Sequence, residues 1–381
     1  TLVHRLTTLN DRTLELVTES LVDFFSWIGS PSKAITVCKV ACERPSFEQR
    51  HSTSVSMKHG RTLRHIKDWG TSLEQLRMAE QRESANYNGN TPIGAIVHHE
   101  QSLCYARTAQ DELSLENHEL RGPVGQVEVA INDAISCGSK ALETWQMVSR
   151  GEINIDGALF NEVSVMKTLA TLYRLKEDFK QEISMHVKAV ETLESQLDVN
   201  HYAIHDELIR LARVYKDNGD WEQAEFCLEQ SLSHVVDNYA EDSLALFESL
   251  RALAEVYTAK GDFASAREIC EDVFQKASQV VDAVNRPIFV EFTIQIVDLL
   301  AQIALKSGSL DEAKQQAIKA LSMAKERFGE FHPETAKRLS ELAKVHLTLK
   351  NYDQAKALHI KALEVDTKTT DGQNPALAER H

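Results

Sequence analysis

The sequence predicts an all-α protein, a solenoid of stacked antiparallel helix hairpins. Proline is rare, with 7 in 381 residues, and residues that favour helices, such as Ala, Leu, Glu and Lys, are abundant, so little in the chain interrupts a helix. In the C-terminal half a Leu-Ala pair recurs with a period of 42 residues. Apolar residues around each pair recur at intervals of three and four, the periodicity of a helix with one buried face. A fixed period of this length indicates a repeat architecture.

Five segments align on these Leu-Ala pairs. The pairs begin at Leu169, Leu211, Leu253, Leu300 and Leu342. Ten positions later the segments have a large apolar residue, in order Phe179, Trp221, Phe263, Leu310 and Tyr352. Small residues follow at Ala224, Ala266, Ala313 and Ala355, with Glu182 as the exception. The spacings of 42, 42, 47 and 42 fit one insertion around Asn285-Arg286-Pro287. Since one hairpin cannot bury both of its faces, such units must stack.

The second segment shows how each unit is expected to fold. Gly219 ends the first helix, because glycine takes the left-handed conformation at a helix C-terminus without strain. Asp220 then caps the second helix, which begins at Trp221. Ala212 and Ala224 are small, so the two helices of the hairpin can approach closely.

These segments share the pattern L-A-x-x-Y-x-x-x-G-D-W-x-x-A, which resembles the tetratricopeptide repeat. The 42-residue period and the G-x-x-H-P-x-x-A entry to the first helix resemble the kinesin-light-chain type of this repeat. The resemblance implies a right-handed superhelical solenoid whose first helices line a concave face. Such a face binds an extended segment or a helix of another protein.

Two details limit what the resemblance implies. Kinesin light chains have paired Asn residues before the Leu-Ala, as L-N-N-L-A, and these hold a peptide backbone. Here the strings are MKTLA, LIRLA, LRALA, VDLLA and LSELA, without Asn, so that mode of peptide capture is not expected. The last unit, FGEFHPETAK with a later HIKAL, also resembles a stretch of amyloid protein-binding protein 2, a repeat protein that acts as a ubiquitin-ligase substrate receptor.

The pattern divides the chain into three regions. Residues 1–150 are predicted to be helical and repeat-like but degenerate, residues 151–366 to hold the five units, and residues 367–381 to be a polar tail or the truncated start of another repeat. The last alternative rests on Pro375, which lies 42 residues after Pro333.

In the first region, Leu21, Phe25, Gly29 and Ala34 reproduce the spacing of one unit. The register between residues 45 and 150 stays open, with loops expected around Pro45–Ser56 and Asn86–Thr91.

Charge and cysteine content exclude several classes of function. There are 42 Lys and Arg against 57 Asp and Glu, a formal net charge of −15. Without an overall positive field, general nucleic-acid binding is not expected. None of the six cysteines has zinc-finger spacing, and Cys38 and Cys42 are expected to be small buried apolar residues of one helix face. No run of apolar residues predicts membrane insertion. We expect a cytoplasmic protein, with the nucleus left open.

Stretches that resemble metal or catalytic sites fit the repeat better. His201 and His205 have a spacing that zinc can use, yet His201 lies 131 residues before His332, three repeat spacings away. His201 and His332 are therefore expected at helix entries. Pro333 suits the first position of a helix, and Glu334 the first turn. With no Gly-rich phosphate loop in the sequence, no cofactor, metal site or catalytic residue is predicted, and the protein is not expected to be an enzyme.

Polar residues on the first helices are the predicted partner-binding positions. They are Lys167, Thr168, Arg210, Arg213, Arg251, Glu255, Asp298, Gln302, Glu341 and Lys344. The basic members cluster near residues 170–250, where an acidic segment of a partner would be attracted.

The predicted function is a non-enzymatic adaptor or scaffold that binds a protein or peptide on the concave face. Two alternatives remain open at this point. One is a subunit of a larger complex, such as a ubiquitin-ligase substrate receptor or a transport adaptor. The other is the sensor part of a longer regulatory protein.

Overall fold

The structure is a computed structural model. It describes residues 17–18, 20–25, 30–42, 53–87, 91–114, 124–150, 157–198, 201–238, 243–284 and 287–373. Every regular element in these ranges is an α-helix, which confirms the predicted all-α class. The chain divides into two compact units, Thr1–Leu197 (unit 1) and Asp198–His381 (unit 2). The region boundaries expected at residues 150 and 366 stay predictions.

Unit 1 consists of helices that pack against their neighbours in chain order. They are α1 (Pro31–Cys42), α2 (Thr53–His65), α3 (Trp69–Tyr87), α4 (Pro92–Ser114), α5 (Val124–Arg150), α6 (Ala158–Leu175) and α7 (Phe179–Gln196). The pairs α2–α3, α4–α5 and α6–α7 are hairpins, and α4 also packs against α2 and α6.

Unit 2 repeats one hairpin four times. Its helices are α8 (Tyr202–Asn218), α9 (Trp221–Asn238), α10 (Leu244–Lys260), α11 (Phe263–Val284), α12 (Pro287–Lys306), α13 (Leu310–Phe328), α14 (Pro333–Thr348) and α15 (Tyr352–Gln373). The first helices α8, α10, α12 and α14 also pack against one another in that order. They therefore form one wall of the unit.

The hairpin turns follow the predicted chemistry. Gly219 ends α8 with φ of 86°, and Gly261 ends α10 with φ of 91°. Three residues with side chains take the same left-handed conformation at the equivalent turns: Lys67 (φ 63°), Glu177 (φ 59°) and Lys350 (φ 62°). This conformation is strained for them, so the turn itself is required at all of these positions.

The structure settles the repeat register of residues 53–87, which the sequence left open. Lys67 forms the turn and Trp69 begins α3, as Trp221 begins α9. Gly60 and Ser72 are the small residues where the two helices cross, and Ser72 Oγ donates to the carbonyl oxygen of Gly60 at 2.7 Å. The helices α2 and α3 are therefore a hairpin of the same type as α8 and α9.

The predicted helix entries at two histidines are confirmed. His332 caps α14, where its Nδ1 accepts from the backbone N–H of Glu334 at 3.2 Å, and Pro333 opens the helix. His201 caps α8 in the same way through the N–H of Ala203. His205 lies inside α8 instead, buried, with its Nδ1 2.7 Å from Ser231 Oγ.

The expected loops are shorter than predicted. The helix α2 begins at Thr53, and Val55 and Ser56 are buried in it, so the loop around Pro45–Ser56 ends earlier. The helix α3 extends to Tyr87, which shortens the loop around Asn86–Thr91. The expectations for Gly29, for the inserted Asn285-Arg286 and for residues after 373 lie outside the described residues.

Small residues at the helix crossings are fully buried, as the repeat pattern predicts. They are Ala224, Ala266, Ala313 and Ala355, each with 0% exposure. Glu182, which departs from the pattern, is also buried, and its Oε1 accepts from Arg174 Nε at 2.6 Å. The buried core of unit 2 is centred on Phe247, whose ring packs 6.0 Å from that of Phe292.

One helix within the described ranges is long and apolar enough to cross a membrane. It covers Ile288–Lys306 in α12, with mean hydropathy 1.8 and 61% of its window buried. Because α12 packs between α11 and α13 and against two first helices, the repeat core accounts for its apolar composition.

The cysteines of the described ranges are free thiols, mostly in the core. Cys38 is fully buried, which confirms the expectation for it; the side chain of Cys42 lies outside the described residues. Burial raises the pKa of the Cys270 thiol to about 12, so the thiolate that metal binding or nucleophilic attack requires is disfavoured there.

Candidate functional site

The candidate site is a groove of about 530 Å³ in unit 2. It is lined by α8, α10, α12 and α14, the first helices of four consecutive repeats. The lining residues are Lys216, Asp217, Arg251, Glu255, Thr258, Ala259, Gln295, Asp298, Leu299, Gln302, Lys306, Lys337, Arg338 and Glu341. Nearly all of them are polar, so the groove suits a hydrogen-bonding ligand.

At the α8–α10 end of the groove, Glu255 is held by two cations. Its carboxylate accepts from Lys216 Nζ at 3.3 Å and from Arg251 Nη1, one turn earlier on α10. The pair Lys216–Glu255 joins the two helices across the groove floor. The Nε of Arg251 is buried and has no acceptor among the described residues.

Arg213 differs from the other basic residues at this end. Arg210 pairs with Asp206 at 3.1 Å on the exposed surface, whereas Arg213 makes no ion pair with any described residue. Burial lowers the pKa of Arg213, and the neighbouring Arg251 lowers it further. Glu255 and Glu248 offset this effect in part, but neither forms an ion pair with Arg213, so its guanidinium can accept an anionic partner.

At the α12–α14 end, a buried arginine holds the two helices together. The side chain of Arg338 is 2% exposed; its Nη1 donates to Asp298 of α12 and its Nη2 to Glu334 at 3.1 Å. Burial raises the pKa of Asp298 in spite of the opposing effect of Arg338. Gln302 Nε2 also lies 3.5 Å from Asp298 Oδ2.

Two lysines of the groove lack partners. Lys306 and Lys337 are exposed and form no ion pair within the described part of the chain. Glu341, by contrast, accepts from Lys344 Nζ at 2.8 Å. The carboxylates of the groove therefore already have cationic partners, while part of its positive charge does not.

The structure brings together some of the predicted partner-binding residues and separates others. Arg251, Glu255, Asp298, Gln302 and Glu341 line the groove, whereas Arg210, Arg213 and Lys344 lie on its helices outside the lining. Lys167 and Thr168 lie on α6 in unit 1. Thr168 is engaged there, because its Oγ1 is 2.9 Å from His99 Nε2 and donates to the Ser164 carbonyl. A role in partner binding stays a prediction for all of them.

Sequence reasoning missed several groove residues, of which Arg338 is the most informative. Arg338 lies four residues before Leu342, and the equivalent positions of the other repeats are Val165, Glu207, Ser249 and Ile296. This column mixes apolar, polar and charged residues, so the sequence pattern did not mark Arg338. Lys306 and Lys337 are farther from the Leu-Ala pair of their helix than the polar residues selected around each pair. The repeat pattern therefore gave no reason to select them.

Metal binding has no support in the described ranges, where no group of three or more His, Cys, Asp or Glu side chains could hold a metal ion.

The tetratricopeptide repeat model matches residues 207–278 and 292–376. Its two segments include every residue that lines the groove. No curated protein matches the chain significantly, so the resemblance of the last unit to amyloid protein-binding protein 2 stays a prediction.

Solved structures share the fold at low identity. The apo form of the quorum sensor NprR from B. thuringiensis is 14% identical, with a TM-score of 0.53, over 94% of this chain and 89% of that chain. The apo form of RapI is 13% identical, with a TM-score of 0.51, over 84% of this chain and 99% of that chain. At identities this low, the similarity establishes that these proteins share a fold with this chain.

Proposed function

We propose that this chain, which the tetratricopeptide repeat model matches over residues 207–278 and 292–376, is a non-enzymatic adaptor or scaffold that binds an extended segment of a partner protein in the groove of unit 2. Its 42-residue period is that of the kinesin-light-chain type. One observation carries the proposal: four consecutive first helices present a continuous polar surface around one groove. A solenoid of this kind offers an extended binding surface rather than a closed pocket.

The dimensions fit a short peptide. Helices in contact lie about 8–10 Å apart, so four in a row extend over roughly 25–30 Å. An extended chain advances about 3.3 Å per residue, which corresponds to about eight residues of the partner. Gln295 and Gln302 on α12 lie in the middle of this path, and their amides can both donate to and accept from a peptide backbone.

Charge supports an acidic segment as the partner. Arg213, Lys306 and Lys337 have no ion pair with described residues, whereas Glu255, Asp298 and Glu341 have one. Acidic side chains would thus find cations without displacing an existing pair. Opposite charges of this kind increase the rate and specificity of association more than its affinity.

The test is affinity purification of the full chain, analysed by mass spectrometry, with Lys306→Glu and Lys337→Glu combined. Both side chains are exposed and unpaired, so folding should be retained. We expect the variant to lose the partners that the wild-type chain retains. The matched control is Lys276→Glu on α11, an exposed lysine outside the groove, paired only with Asp272 on its own helix. An unchanged set of partners in the groove variant would count against the groove.

A second candidate is a subunit of a larger complex, a ligase receptor or a transport adaptor in the cytoplasm. The division into two compact units favours it, because one unit can dock to the complex while the other binds a target. Chemical cross-linking of the assembled complex would then place the contacts with other subunits on unit 1. Cross-links confined to unit 2 would argue against this arrangement.

A further inference from the structure

A second charged cluster lies in unit 1, on α2, the helix that corresponds to α8 by its position in the hairpin. Since Trp69 corresponds to Trp221, Arg61 stands at the position of Arg213 and Arg64 at that of Lys216. This cluster belongs to unit 1 alone and is independent of the groove described above.

The two arginines are held by one buried carboxylate. Arg61 Nε donates to Glu100 Oε1 at 2.7 Å, and Arg64 Nε donates to Glu100 Oε2 at 2.8 Å. The Glu100 side chain on α4 is 7% exposed, whereas Arg61 is 42% and Arg64 19% exposed. Glu100 thus uses one oxygen for each guanidinium and fixes the two side by side. The terminal Nη groups of both arginines have no acceptor among the residues that the structure describes.

The surroundings leave this cluster positively charged. Two guanidinium groups face a single carboxylate, and the nearby titratable side chains include His65, His99 and Cys104. Burial lowers the pKa of both histidines, and Arg61 and Arg64 lower it further. His99 is also fixed, since its Nε2 lies 2.9 Å from Thr168 Oγ1 of α6. Within the described ranges no carboxylate other than Glu100 pairs with the arginines, so these residues leave a net positive charge at a partly exposed position.

We propose that Arg61 and Arg64 form a binding site for a phosphate monoester, with Glu100 as the residue that positions them. Two adjacent guanidinium groups offer planar pairs of N–H donors, the geometry that phosphate oxygens match. A carboxylate of a partner has two acceptor oxygens, and a single guanidinium in a bidentate pair engages both. A phosphate monoester has three acceptor oxygens and a charge of about −1.5 to −2. A phosphate can therefore bridge both arginines and neutralise the excess charge.

Two sources could supply this group, a phosphorylated side chain of a partner or a small free phosphate. The probes are fluorescein-labelled Gly/Ser peptides that differ at one residue, which is phosphoserine, Glu or Ser, together with inorganic phosphate as a competitor. Fluorescence anisotropy is measured on the full chain. We expect saturable binding of the phosphoserine peptide alone among the three. Competition by inorganic phosphate would assign recognition to the phosphate group alone, and its absence would assign it to a phosphorylated peptide.

The variants are Arg61→Gln and Arg61→Lys, with Arg107→Gln as the control. Arg107 is an exposed arginine on α4 whose Nη1 donates to Gln110 at 2.9 Å, so its loss removes the same charge without touching the cluster. Losing a charged hydrogen bond should weaken binding by about tenfold or more in Arg61→Gln. Arg61→Lys should restore only part of it, because Lys lacks the planar fork.

Circular dichroism of each variant checks that the fold is retained. The proposal is overturned if the wild-type chain binds none of the probes, if it binds the Glu and phosphoserine peptides equally, or if Arg61→Gln binds as the wild type does. Because the substituted residues lie in unit 1, a loss of binding in Arg61→Gln concerns this cluster, and binding that this variant retains would point to another site such as the groove of unit 2.

Discussion

At the scale of single residues, the most unusual feature of unit 2 is an ion pair, Arg338–Asp298, in which both side chains are buried. Moving both charges out of water costs about as much as their attraction returns. The raised pKa of Asp298 indicates that desolvation outweighs the attraction of Arg338. Such a pair contributes little net stability. Without Arg338, however, the Asp298 carboxylate would be a buried charge with no cation, whereas Arg338 would keep its pair with Glu334. What the pair fixes is the position of α12 relative to α14 at the groove.

We predict that Arg338→Met lowers the free energy of unfolding by about 3–5 kcal/mol, because Asp298 is then buried without a cation. The double variant Arg338→Met with Asp298→Leu should recover most of this loss. Urea unfolding followed by circular dichroism measures both. Arg210→Met serves as the control, since the exposed pair with Asp206 should be worth about 0.5 kcal/mol. A double variant as unstable as Arg338→Met would show that the pair stabilises the fold.

At the scale of the elements, the hairpins depend on a left-handed turn and on small residues at the helix crossing. Gly219 and Gly261 provide the turn without strain. At the crossing of α2 and α3 a Cβ added to Gly60 would lie 2.7 Å from Leu76 Cγ and 3.2 Å from the Ser72 carbonyl oxygen. At Gly60 the neighbouring atoms leave no room for a side chain, and at Gly219 the left-handed backbone conformation disfavours one.

Three Gly→Ala variants separate these two requirements. Gly219→Ala should cost about 1–2 kcal/mol, since Ala is strained at φ of 86°. Gly60→Ala should cost about 1–3 kcal/mol by overpacking. Gly70→Ala is the control, because nothing lies within 4 Å of an added Cβ there, and it should stabilise α3 by about 0.5 kcal/mol. Thermal unfolding orders the three; a stable Gly60→Ala would contradict the hairpin register of α2 and α3.

The elements also show how far sequence could predict this molecule. The five C-terminal hairpins were predictable because the Leu-Ala pair recurs in all of them, even where Glu177 and Lys350 replace the turn glycine. The hairpin of α2 and α3 was not, because His59-Gly60 stands in place of the Leu-Ala pair and Ser72 in place of the crossing alanine. Part of the groove lining followed from the repeat register, but the ion pairs that define its free charges did not. Which lysine has a partner depends on side-chain positions across repeats, and the repeat pattern does not specify them.

At the scale of the whole molecule, both units are built by adding hairpins to their neighbours. Each helix in the interior of a unit packs on both sides, and its stability comes from those adjacent contacts rather than from distant ones. In unit 2, α12 packs against α10, α11, α13 and α14 and contributes Phe289 and Phe292 to the core. The last helix, α15, packs mainly against α14 and leaves Leu363 63% exposed. Stability should therefore fall from the interior of unit 2 towards its last helix.

Hydrogen exchange of the intact chain, measured by mass spectrometry, tests this gradient. We predict that the amides of α12 exchange most slowly in unit 2 and those of α15 at least about tenfold faster, since local opening needs less free energy where fewer buried contacts are lost. Phe292→Ala should create a cavity at the centre of the core and cost about 3–5 kcal/mol. Because coupling runs between neighbours, its effect should be largest in α10, α11 and α12 and smallest in α15. Equal protection of α12 and α15, both falling together in the variant, would instead mean that unit 2 unfolds as one cooperative body.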